Sequence, residues 1–267
     1  MYDNDFICHQ KGYLCFDEKG TKLLNDLDLK FKQLIEHKTY TEIKVPSIIS
    51  GNILETCGYF ETFPQHLSVV GSLKKTEGKL LARSQITNLD ITHHDYYLTP
   101  AACVHIYPML IHMDCQNQCY TMLESVYRYE DGNFNDRERL WEFTVREFVF
   151  VGTREYVLHS LNELKEKALQ LAQQYLGEVK IEAAHDNFYP SKSNKIRTKL
   201  QIANHLKDEL VVSFENRNIA IASFNYHNLH FSKPFHFDKA ETIVSGCVGF
   251  GMERWVLSCL ERGIEVI

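Results

Sequence analysis

The stretch from Tyr127 to Thr153 combines residue types that could bind a nucleotide. Two apolar, aromatic-rich runs flank residues 131–138, which are rich in Asp, Asn and Gly. This pattern predicts two antiparallel strands joined by a long polar loop. On the first predicted strand Arg128 and Glu130 are two residues apart, so both side chains should leave the same face. The alternative is a charged strand face that is exposed to solvent.

The second predicted strand adds an aromatic ring and a carboxylate on one face. Phe143 and Glu147 share that face, whereas Glu142 and Arg146 lie on the other. The planar fork of arginine fits a phosphate, an aromatic ring stacks on a base, and a carboxylate accepts a hydrogen bond from an amine. The hairpin therefore carries the chemistry of a nucleotide site.

A further phosphate-binding candidate lies near the C-terminus, where a predicted strand runs into a predicted helix. Residues 249–254 read Gly-Phe-Gly-Met-Glu-Arg. The glycines allow close backbone approach, and Arg254 falls in the first helical turn, where the positive end of the helix dipole also favours anions. The alternative is a simple strand–helix turn.

Helices and strand pairs must position these residues. Residues 21–37 and 155–175 carry apolar residues at helical spacing. The first of these helices is followed by an alternating strand at 39–50, in which Pro46 must lie at an edge or an end. Further strands are predicted at 68–84, 96–102, 201–214 and 218–226. The order of elements predicts an α+β fold with an antiparallel sheet.

Two other segments have a predicted structure that bears on the site. Thr99 and Pro100 precede an apolar run, which predicts a helix with the proline at its first position. Residues 183–199 are polar and rich in turn-forming residues, which predicts an excursion on the surface.

Composition and charge exclude several classes of protein. The 267 residues are 44% hydrophobic and 24% charged, as in ordinary soluble globular proteins. No apolar run approaches the ~20 residues of a membrane span, and the N-terminus lacks a signal pattern, so we expect a cytoplasmic protein with no membrane partner. The eight cysteines are then thiols or metal ligands rather than disulfides. A net charge of −6 without a basic run argues against nucleic acid as the main partner.

Together these segments resemble the class II aminoacyl-tRNA synthetases. The helix and strand ending at Pro46 resemble motif 1, Arg128-Tyr129-Glu130 with the loop and Phe143 resemble motif 2, and residues 249–254 resemble motif 3. The resemblance implies an antiparallel sheet flanked by helices, a homodimer formed through motif 1, and ATP bound with Mg²⁺. The resemblance also implies a role for each site residue. Arg128 would bind the α-phosphate of ATP, and Glu130 would accept a hydrogen bond from the adenine amine. Phe143 would stack on one face of adenine, and Arg254 would bind on the γ-phosphate side and cover the other face.

Three further residues are similar to a zinc site within that class. Cys103, Glu147 and Cys247 match the ligands of the methanogen-type seryl-tRNA synthetases and of their truncated bacterial relatives, the amino acid:[carrier protein] ligases. In those families zinc takes the amino group of the amino acid, and two thiolates with a carboxylate leave one tetrahedral position for it. The alternative is two small buried cysteines and an unrelated acid. Cys115 and Cys119 are interpreted as structural.

The position of motif 1 separates these two relatives. It begins within the first twenty to thirty residues, so we expect a single catalytic domain over 1–267 without a separate tRNA-binding domain. An enzyme of this kind would pass its aminoacyl-adenylate to the phosphopantetheine thiol of a carrier protein, with no tRNA partner. The alternatives are a tRNA-charging seryl-type catalytic domain and a catalytically silent paralogue that senses amino acids.

The substrate end of the predicted site is less well defined by the sequence. Ser223 and Asn225 are the expected polar contacts, and Glu142 is a candidate hydrogen-bond partner of ATP. The acid that holds magnesium in synthetases is not evident, because residues 219–221 are Ile-Ala-Ile. His227 and His230 are either substrate or carrier contacts or satisfied polar residues. By analogy the amino acid is glycine, alanine or serine.

Overall fold

The computed structural model describes residues 6–10, 12–74, 83–113, 115–135, 138–236 and 242–264. In chain order its strands are β1 (Phe6–Gln10), β2 (Tyr13–Phe16), β3 (Thr41–Glu42), β4 (Ile48–Ser50), β5 (Val69–Leu73), β6 (Ile91–Leu98), β7 (Gln118–Tyr127), β8 (Glu142–Gly152), β9 (Val179–Ala183), β10 (Lys207–Phe214), β11 (Arg217–Asn228) and β12 (Val244–Gly251). Its α-helices are α1 (Glu18–Gln33), α2 (Gly51–Thr56), α3 (Tyr59–Thr62), α4 (Ile106–Met109), α5 (Arg154–Leu176), α6 (Lys192–Ala203), α7 (Ser232–Phe235) and α8 (Met252–Glu261).

A seven-stranded sheet organises the molecule, in the spatial order β3-β7-β8-β12-β11-β10-β9. The described pairings in it are antiparallel except that of β3 with β7. A smaller sheet, β4-β6-β5, stands beside it, and β1 pairs with β2. The predicted α+β fold, with an antiparallel sheet flanked by helices, is confirmed.

The helices α1, α5 and α8 cover one face of the large sheet and form its main core. Phe31 of α1 stacks on Phe250 of β12 with ring centroids 4.3 Å apart, and Trp255 of α8 meets Phe31 edge-on. All three rings are fully buried. Asp17 caps α1 by accepting a hydrogen bond from the Gly20 amide at 2.8 Å, which explains why the helix begins before the predicted residue 21.

Prolines account for two differences from the sequence-based prediction. The strand predicted over 39–50 is interrupted around Pro46, so β3 joins the large sheet and β4 the small one, because proline has no amide to donate to a ladder. Pro100 precedes the first turn rather than opening it. A short 3-10 helix starts at Ala102, and α4 follows it.

The predicted hairpin forms, but its first strand is shorter than expected. Strand β7 ends at Tyr127, so the prediction that Arg128 and Glu130 lie on this strand was wrong. Glu130 and Asp131 have positive φ angles of 46° and 54°, which turn the chain out of the extended conformation.

The segment at 183–199 also differs from the prediction. Instead of a surface excursion throughout, it leads into α6, which continues to Ala203 and so replaces the start of the strand predicted at 201. Part of the strand predicted at 68–84 lies outside the described residues. The helix predicted at 155–175 is confirmed as α5.

Candidate active site

The face of the large sheet opposite α1, α5 and α8 forms the floor of a cavity of about 790 Å³. Strands β8, β10, β11 and β12 supply the floor. One wall is formed by residues in and around α3 together with Ala101, Cys103 and Val104, and another by α6 and the loop before it. The cavity is large enough for a nucleotide together with a second small molecule.

The strand register sets two rows of neighbours across this floor. The first row runs from β8 to β10 through Glu147, Gly249, Ser223 and Glu209. The second row runs from β12 to β10 through Cys247, Asn225 and Lys207. Each of these residues lines the cavity, so an open glycine lies between polar side chains at the centre of the floor.

Cys103, Glu147 and Cys247 converge at one end of the floor, with their ligand atoms within 4.8 Å of one another. All three residues are buried. The amide of Cys103 donates to Glu147 Oε2 at 3.0 Å, and Asn225 Nδ2 donates to Cys247 Sγ at 3.7 Å. The structure thus brings together residues that are up to 144 positions apart in the sequence (247 − 103).

The chemistry of this cluster fits a soft divalent cation. A hydrogen bond to Cys247, burial and the charge of Glu147 raise the pKa of Cys103 well above its ordinary value. The hydrogen bond with Cys103 lowers the pKa of Cys247, but burial and Glu147 outweigh it and the net shift is upward. Two thiols and one carboxylate in a buried pocket are typical zinc donors, and a bound cation would offset the cost of their negative charges.

The predicted nucleotide residues lie at the other end of the cavity. The guanidinium of Arg128 lies 5.3 Å from the ring centroid of Phe143, and its Nε donates to the Pro100 carbonyl at 3.0 Å. Glu130 also lines the cavity, and one of its oxygens lies 3.4 Å from Nε of Arg139. This arrangement places a cation, an aromatic face and an acid where they could meet one ligand.

Arg254 enters the cavity from the first turn of α8. Its Nε donates to the Glu138 carbonyl at 2.9 Å and its Nη1 donates to the Ala220 carbonyl at 2.7 Å. Burial, followed by the charge of Arg128, lowers the pKa of Arg254. Two guanidinium groups in one cavity create an environment that attracts phosphate oxygens.

The remaining predicted contacts divide into two groups. Ser223 and Asn225 lie side by side on the floor, where Asn225 Nδ2 donates to Ser223 Oγ at 3.2 Å. Glu142 is exposed and accepts from the Tyr127 hydroxyl at 3.2 Å, and it is not among the described residues that line the cavity. Strand alternation explains this, because Glu142 points away from the face that carries Phe143.

Both histidines singled out in the sequence line the cavity. His227 Nδ1 lies 3.2 Å from the Tyr107 hydroxyl and 3.1 Å from Ser245 Oγ. Burial lowers the pKa of His227 to about 3, so its ring is neutral at physiological pH. Cys115 and Cys119 are buried and lie outside the three-residue cluster.

Sequence reasoning missed a charged network at the β10 edge of the cavity. Lys207 Nζ lies 2.8 Å from Asp186 and 3.1 Å from Glu209, and Gln201 of α6 donates to Asp186 at 2.7 Å. The predicted strand at 201–214 already placed Lys207 and Glu209 on one face, but nothing in the sequence indicated that this face lines the cavity or that Asp186 lies beside it. The network ties α6 to the floor.

No family model matches the chain. Its fold is that of the class II aminoacyl-tRNA synthetase catalytic domain. A crystal structure of the seryl-tRNA synthetase of M. kandleri, in complex with the tRNASec of A. aeolicus, superposes with a TM-score of 0.78 at 21% identity, covering 94% of this chain and 53% of that one. The prolyl-tRNA synthetase of Giardia lamblia, solved with prolyl-adenylate, gives a TM-score of 0.67 at 15% identity, over 94% of this chain and 48% of that one.

The sequence homologues of the chain are type-2 serine–tRNA ligases and amino acid–[acyl-carrier-protein] ligases. It is 26% identical to the type-2 serine–tRNA ligase of Methanococcus aeolicus over 94% of this chain and 53% of the relative. It is 28% identical to amino acid–[acyl-carrier-protein] ligase 1 of Bradyrhizobium diazoefficiens, over 79% of this chain and 68% of the relative. The chain therefore spans about half of the first relative and about two thirds of the second. The predicted family resemblance is confirmed.

Within the described residues, no helix has the length and apolar character needed to cross a membrane.

Proposed function

We propose that this protein activates a small amino acid with ATP and transfers it to the phosphopantetheine thiol of a carrier protein. In the first step a carboxylate oxygen attacks the α-phosphorus of ATP, the bond to the bridging oxygen breaks, and pyrophosphate leaves. In the second step the thiol sulfur attacks the carbonyl carbon of the adenylate. AMP leaves with the electron pair of the broken C–O bond, and the thiol releases its proton.

One observation carries this proposal. The buried cluster of Cys103, Glu147 and Cys247 opens into the same cavity as Arg128 and Arg254. Adenylyl transfer depends mainly on positioning and charge neutralisation, and this cavity combines a site for an amine with a site for phosphates. No protein nucleophile is needed.

The metal cluster would hold zinc. When bound there, zinc supplies a Lewis-acid position for the amino group of the substrate. Ser223 and Asn225 lie next to the cluster on the floor and would contact the rest of the amino acid. Because zinc does not read the side chain, the volume of the pocket would select glycine, alanine or serine.

The nucleotide would lie across the other end of the floor. In this proposal Arg128 binds the α-phosphate, Phe143 covers one face of adenine, and Glu130 accepts from the adenine amine. Arg254 binds the γ-phosphate side and covers the other face of the base. Each charge-assisted hydrogen bond of this kind is typically worth about 1.5–3 kcal/mol.

The acid that holds magnesium in synthetases is missing near Ala220 of β11. In this proposal the neighbouring strand β10 supplies a magnesium ligand instead. Glu209 of β10 is the Cα partner of Ser223 of β11 and lines the cavity. Carboxylate and hydroxyl oxygens are suitable magnesium ligands beside ATP phosphates. We assign Glu209 this role in place of the missing acid near Ala220.

The carrier-protein acceptor is supported by the ligase relatives, of which the chain covers the larger share. The net charge of −6 without a basic run also supports a protein acceptor over a nucleic acid.

We further propose a cytoplasmic homodimer that pairs through α1 and β3, as the resemblance implies.

The decisive experiment is amino-acid-dependent exchange of labelled pyrophosphate into ATP, with glycine, alanine and serine among the twenty amino acids tested. Exchange with one or a few small amino acids, lost after treatment with a chelator and restored by zinc, is the expected result. Absence of exchange with every amino acid, in protein that contains zinc, would overturn the enzymatic proposal and favour an amino-acid sensor.

Charging of tRNA is a second candidate, because the type-2 serine–tRNA ligases match the longest stretch of the chain. Transfer of labelled amino acid to bulk tRNA, compared with transfer to a phosphopantetheinylated acyl carrier protein, separates the two functions. The proposal expects label on the carrier protein alone.

A further inference from the structure

A tyrosine, Tyr59, lies on the wall of the main cavity. It opens α3 directly after Gly58, whose φ of 74° turns the chain at the end of α2. The ring of Tyr59 lies 5.4 Å from that of Phe63, centroid to centroid. Phe63 in turn stacks on His66 and on Phe188, with centroids 5.1 Å apart in each pair. The ring of Tyr59 is therefore held by an aromatic wall.

The hydroxyl of Tyr59 has no hydrogen-bond partner in the described part of the chain. Tyr107, which belongs to the same apolar cluster as Cys103, differs in this respect, because its hydroxyl lies 3.2 Å from His227 Nδ1. A polar group that lacks a partner inside a protein costs free energy, which a ligand that accepts the bond recovers. The Tyr59 hydroxyl is thus available to a ligand in the cavity.

Tyr59 lies within reach of both ends of the cavity. It packs against the buried apolar cluster that contains Cys103, and Phe143 of the nucleotide end packs against the same cluster. The electrostatics agree with this packing. Burial raises the pKa of Tyr59 well above its ordinary value, the charge of Arg128 opposes that shift, and Cys103 and Glu147 add to it. The hydroxyl is therefore close enough to interact with the guanidinium at one end and with the metal cluster at the other.

An aminoacyl-adenylate would place one particular group at this position. Its amine would lie at the metal cluster and its α-phosphate at Arg128, and only the α-carbon and the carbonyl group separate those two ends. A side chain between them therefore meets the carbonyl group. A phenol keeps its proton at physiological pH and can donate a hydrogen bond to that carbonyl oxygen.

We infer that the Tyr59 hydroxyl donates a hydrogen bond to the carbonyl oxygen of the adenylate and stabilises the negative charge that develops there in the transfer step. When the acceptor sulfur bonds to the carbonyl carbon, the π electron pair moves to this oxygen. The pair returns as the C–O bond to the phosphate breaks, AMP leaves, and the thiol proton passes to solvent. Donors aimed at such an oxyanion contribute strongly to acyl transfer. This inference rests on the proposed function and makes Tyr59 a catalytic residue of its second step.

The test separates the two steps of the reaction. Tyr59→Phe removes the hydroxyl and keeps the ring beside Phe63. Pyrophosphate exchange at saturating ATP and amino acid should be nearly unchanged, because the charge on the carboxylate decreases as the adenylate forms. Single-turnover transfer from the bound adenylate is measured with hydroxylamine and with a phosphopantetheinylated acyl carrier protein. Both transfers should slow about 100-fold or more, the typical effect of losing one oxyanion donor.

Tyr97→Phe is the matched control. Tyr97 lies on β6 with its ring 5.4 Å from that of Phe60, the residue after Tyr59, and it is not among the described residues that line the cavity. This variant should change neither step. A second variant carries 3-fluorotyrosine at position 59, which offers a more acidic hydroxyl on nearly the same ring. It should transfer at least as fast as the unmodified protein.

The outcomes separate this inference from the proposed function. Equal transfer rates in Tyr59→Phe and the unmodified protein would overturn the inference, as would an equal slowing of exchange and transfer, which is the effect of a distorted site. Loss of zinc from Tyr59→Phe would also overturn it, because the hydroxyl would then support the metal cluster. Hydroxamate formation that depends on Tyr59, without transfer to the carrier protein, would support the inference and overturn the carrier assignment. Absence of pyrophosphate exchange in the unmodified protein would overturn the proposed function and this inference with it.

Discussion

The backbone amide of Cys103 donates a hydrogen bond of 3.0 Å to Oε2 of Glu147. The bond joins the 3-10 helix after Pro100 directly to β8, so the carboxylate is oriented by the backbone of another residue of the same cluster. Partners that fix the orientation of a ligand strengthen metal binding. The two cysteines therefore differ, because Cys103 contributes both a thiol and this amide, whereas Cys247 contributes a thiol from β12.

Replacing either cysteine should remove the metal. Cys103→Ser and Cys247→Ser each delete a soft donor from a set of three, and zinc affinity should fall by more than the roughly 10–100-fold typical of losing a partner that only orients a ligand. Metal analysis of purified protein measures this directly. Cys119→Ala, a buried cysteine outside the cluster, should keep its zinc, and stoichiometric zinc in both serine variants would disprove the assignment of these ligands.

Arg128→Lys should weaken ATP binding nearly as much as Arg128→Gln. The guanidinium is held beside Phe143 and by the Pro100 carbonyl, and an ammonium cannot reproduce its planar two-point contact with a phosphate. Loss of one such contact costs about 1.5–3 kcal/mol, or roughly 10–100-fold in affinity. Calorimetric titration with ATP and with adenosine provides the check, since adenosine binding should change little. Affinity for ATP that survives in the glutamine variant would contradict the role of Arg128.

Glu253 should make the stability of the protein depend on pH. Burial raises the pKa of Glu253 from 4.5 to about 7, although it accepts hydrogen bonds from the Thr144 amide at 2.8 and 2.9 Å. Between these values the folded state binds the proton and the unfolded state does not, so the free energy of unfolding falls as pH rises from about 4.5 to about 7. The full contribution is on the order of 3 kcal/mol.

Urea denaturation of the unmodified protein and of Glu253→Gln across this range isolates the effect, because the other titrating groups are common to both. The difference in the free energy of unfolding should change steadily between the two pKa values and stay level above them. A difference that is constant with pH would refute the prediction.

That Arg128, Phe143 and Arg254 lie in one cavity could be predicted from sequence, because they belong to short segments whose residue types and order carry the signal; their binding of a nucleotide stays a proposal. Arg128, Phe143 and Arg254 reach the cavity even though Arg128 lies beyond the end of β7. Local turn geometry, such as the positive φ of Glu130, depends on tertiary contacts that a propensity argument does not contain.

The candidate metal cluster and the charged network at the β10 edge were harder to predict from sequence, for two different reasons. Cys103, Glu147 and Cys247 have no spacing signature, and only the family resemblance brought them together before the fold did. For the pair of Lys207 and Asp186, neither residue spacing nor the family resemblance indicated a contact. Their pairing depends on where β10 begins and on the loop before α6, and element boundaries are the least reliable part of a sequence-based prediction.

Arg146 anchors the opposite side of the strand that carries Glu147. Its side chain is 1% exposed, and its Nε and Nη2 donate to the two carboxylate oxygens of Asp28 at 2.5 and 2.8 Å. Its Nη1 donates to Glu42 at 2.9 Å and to Thr121 Oγ1 at 3.1 Å. Through this guanidinium, α1 and β3 are fixed against the middle of β8.

Arg146→Met should therefore lower the free energy of unfolding by about 3–5 kcal/mol, because the substitution leaves the buried carboxylate of Asp28 without its main partner. Combining it with Asp28→Leu should recover part of the loss, since a buried ion pair can often be exchanged for apolar residues at little cost. Arg217→Met, which removes a partly exposed cation from Glu138 and Glu261, should cost no more than about 1 kcal/mol. Urea denaturation measures all three variants, and an Arg146→Met variant as stable as Arg217→Met would show that β8 is held by packing alone.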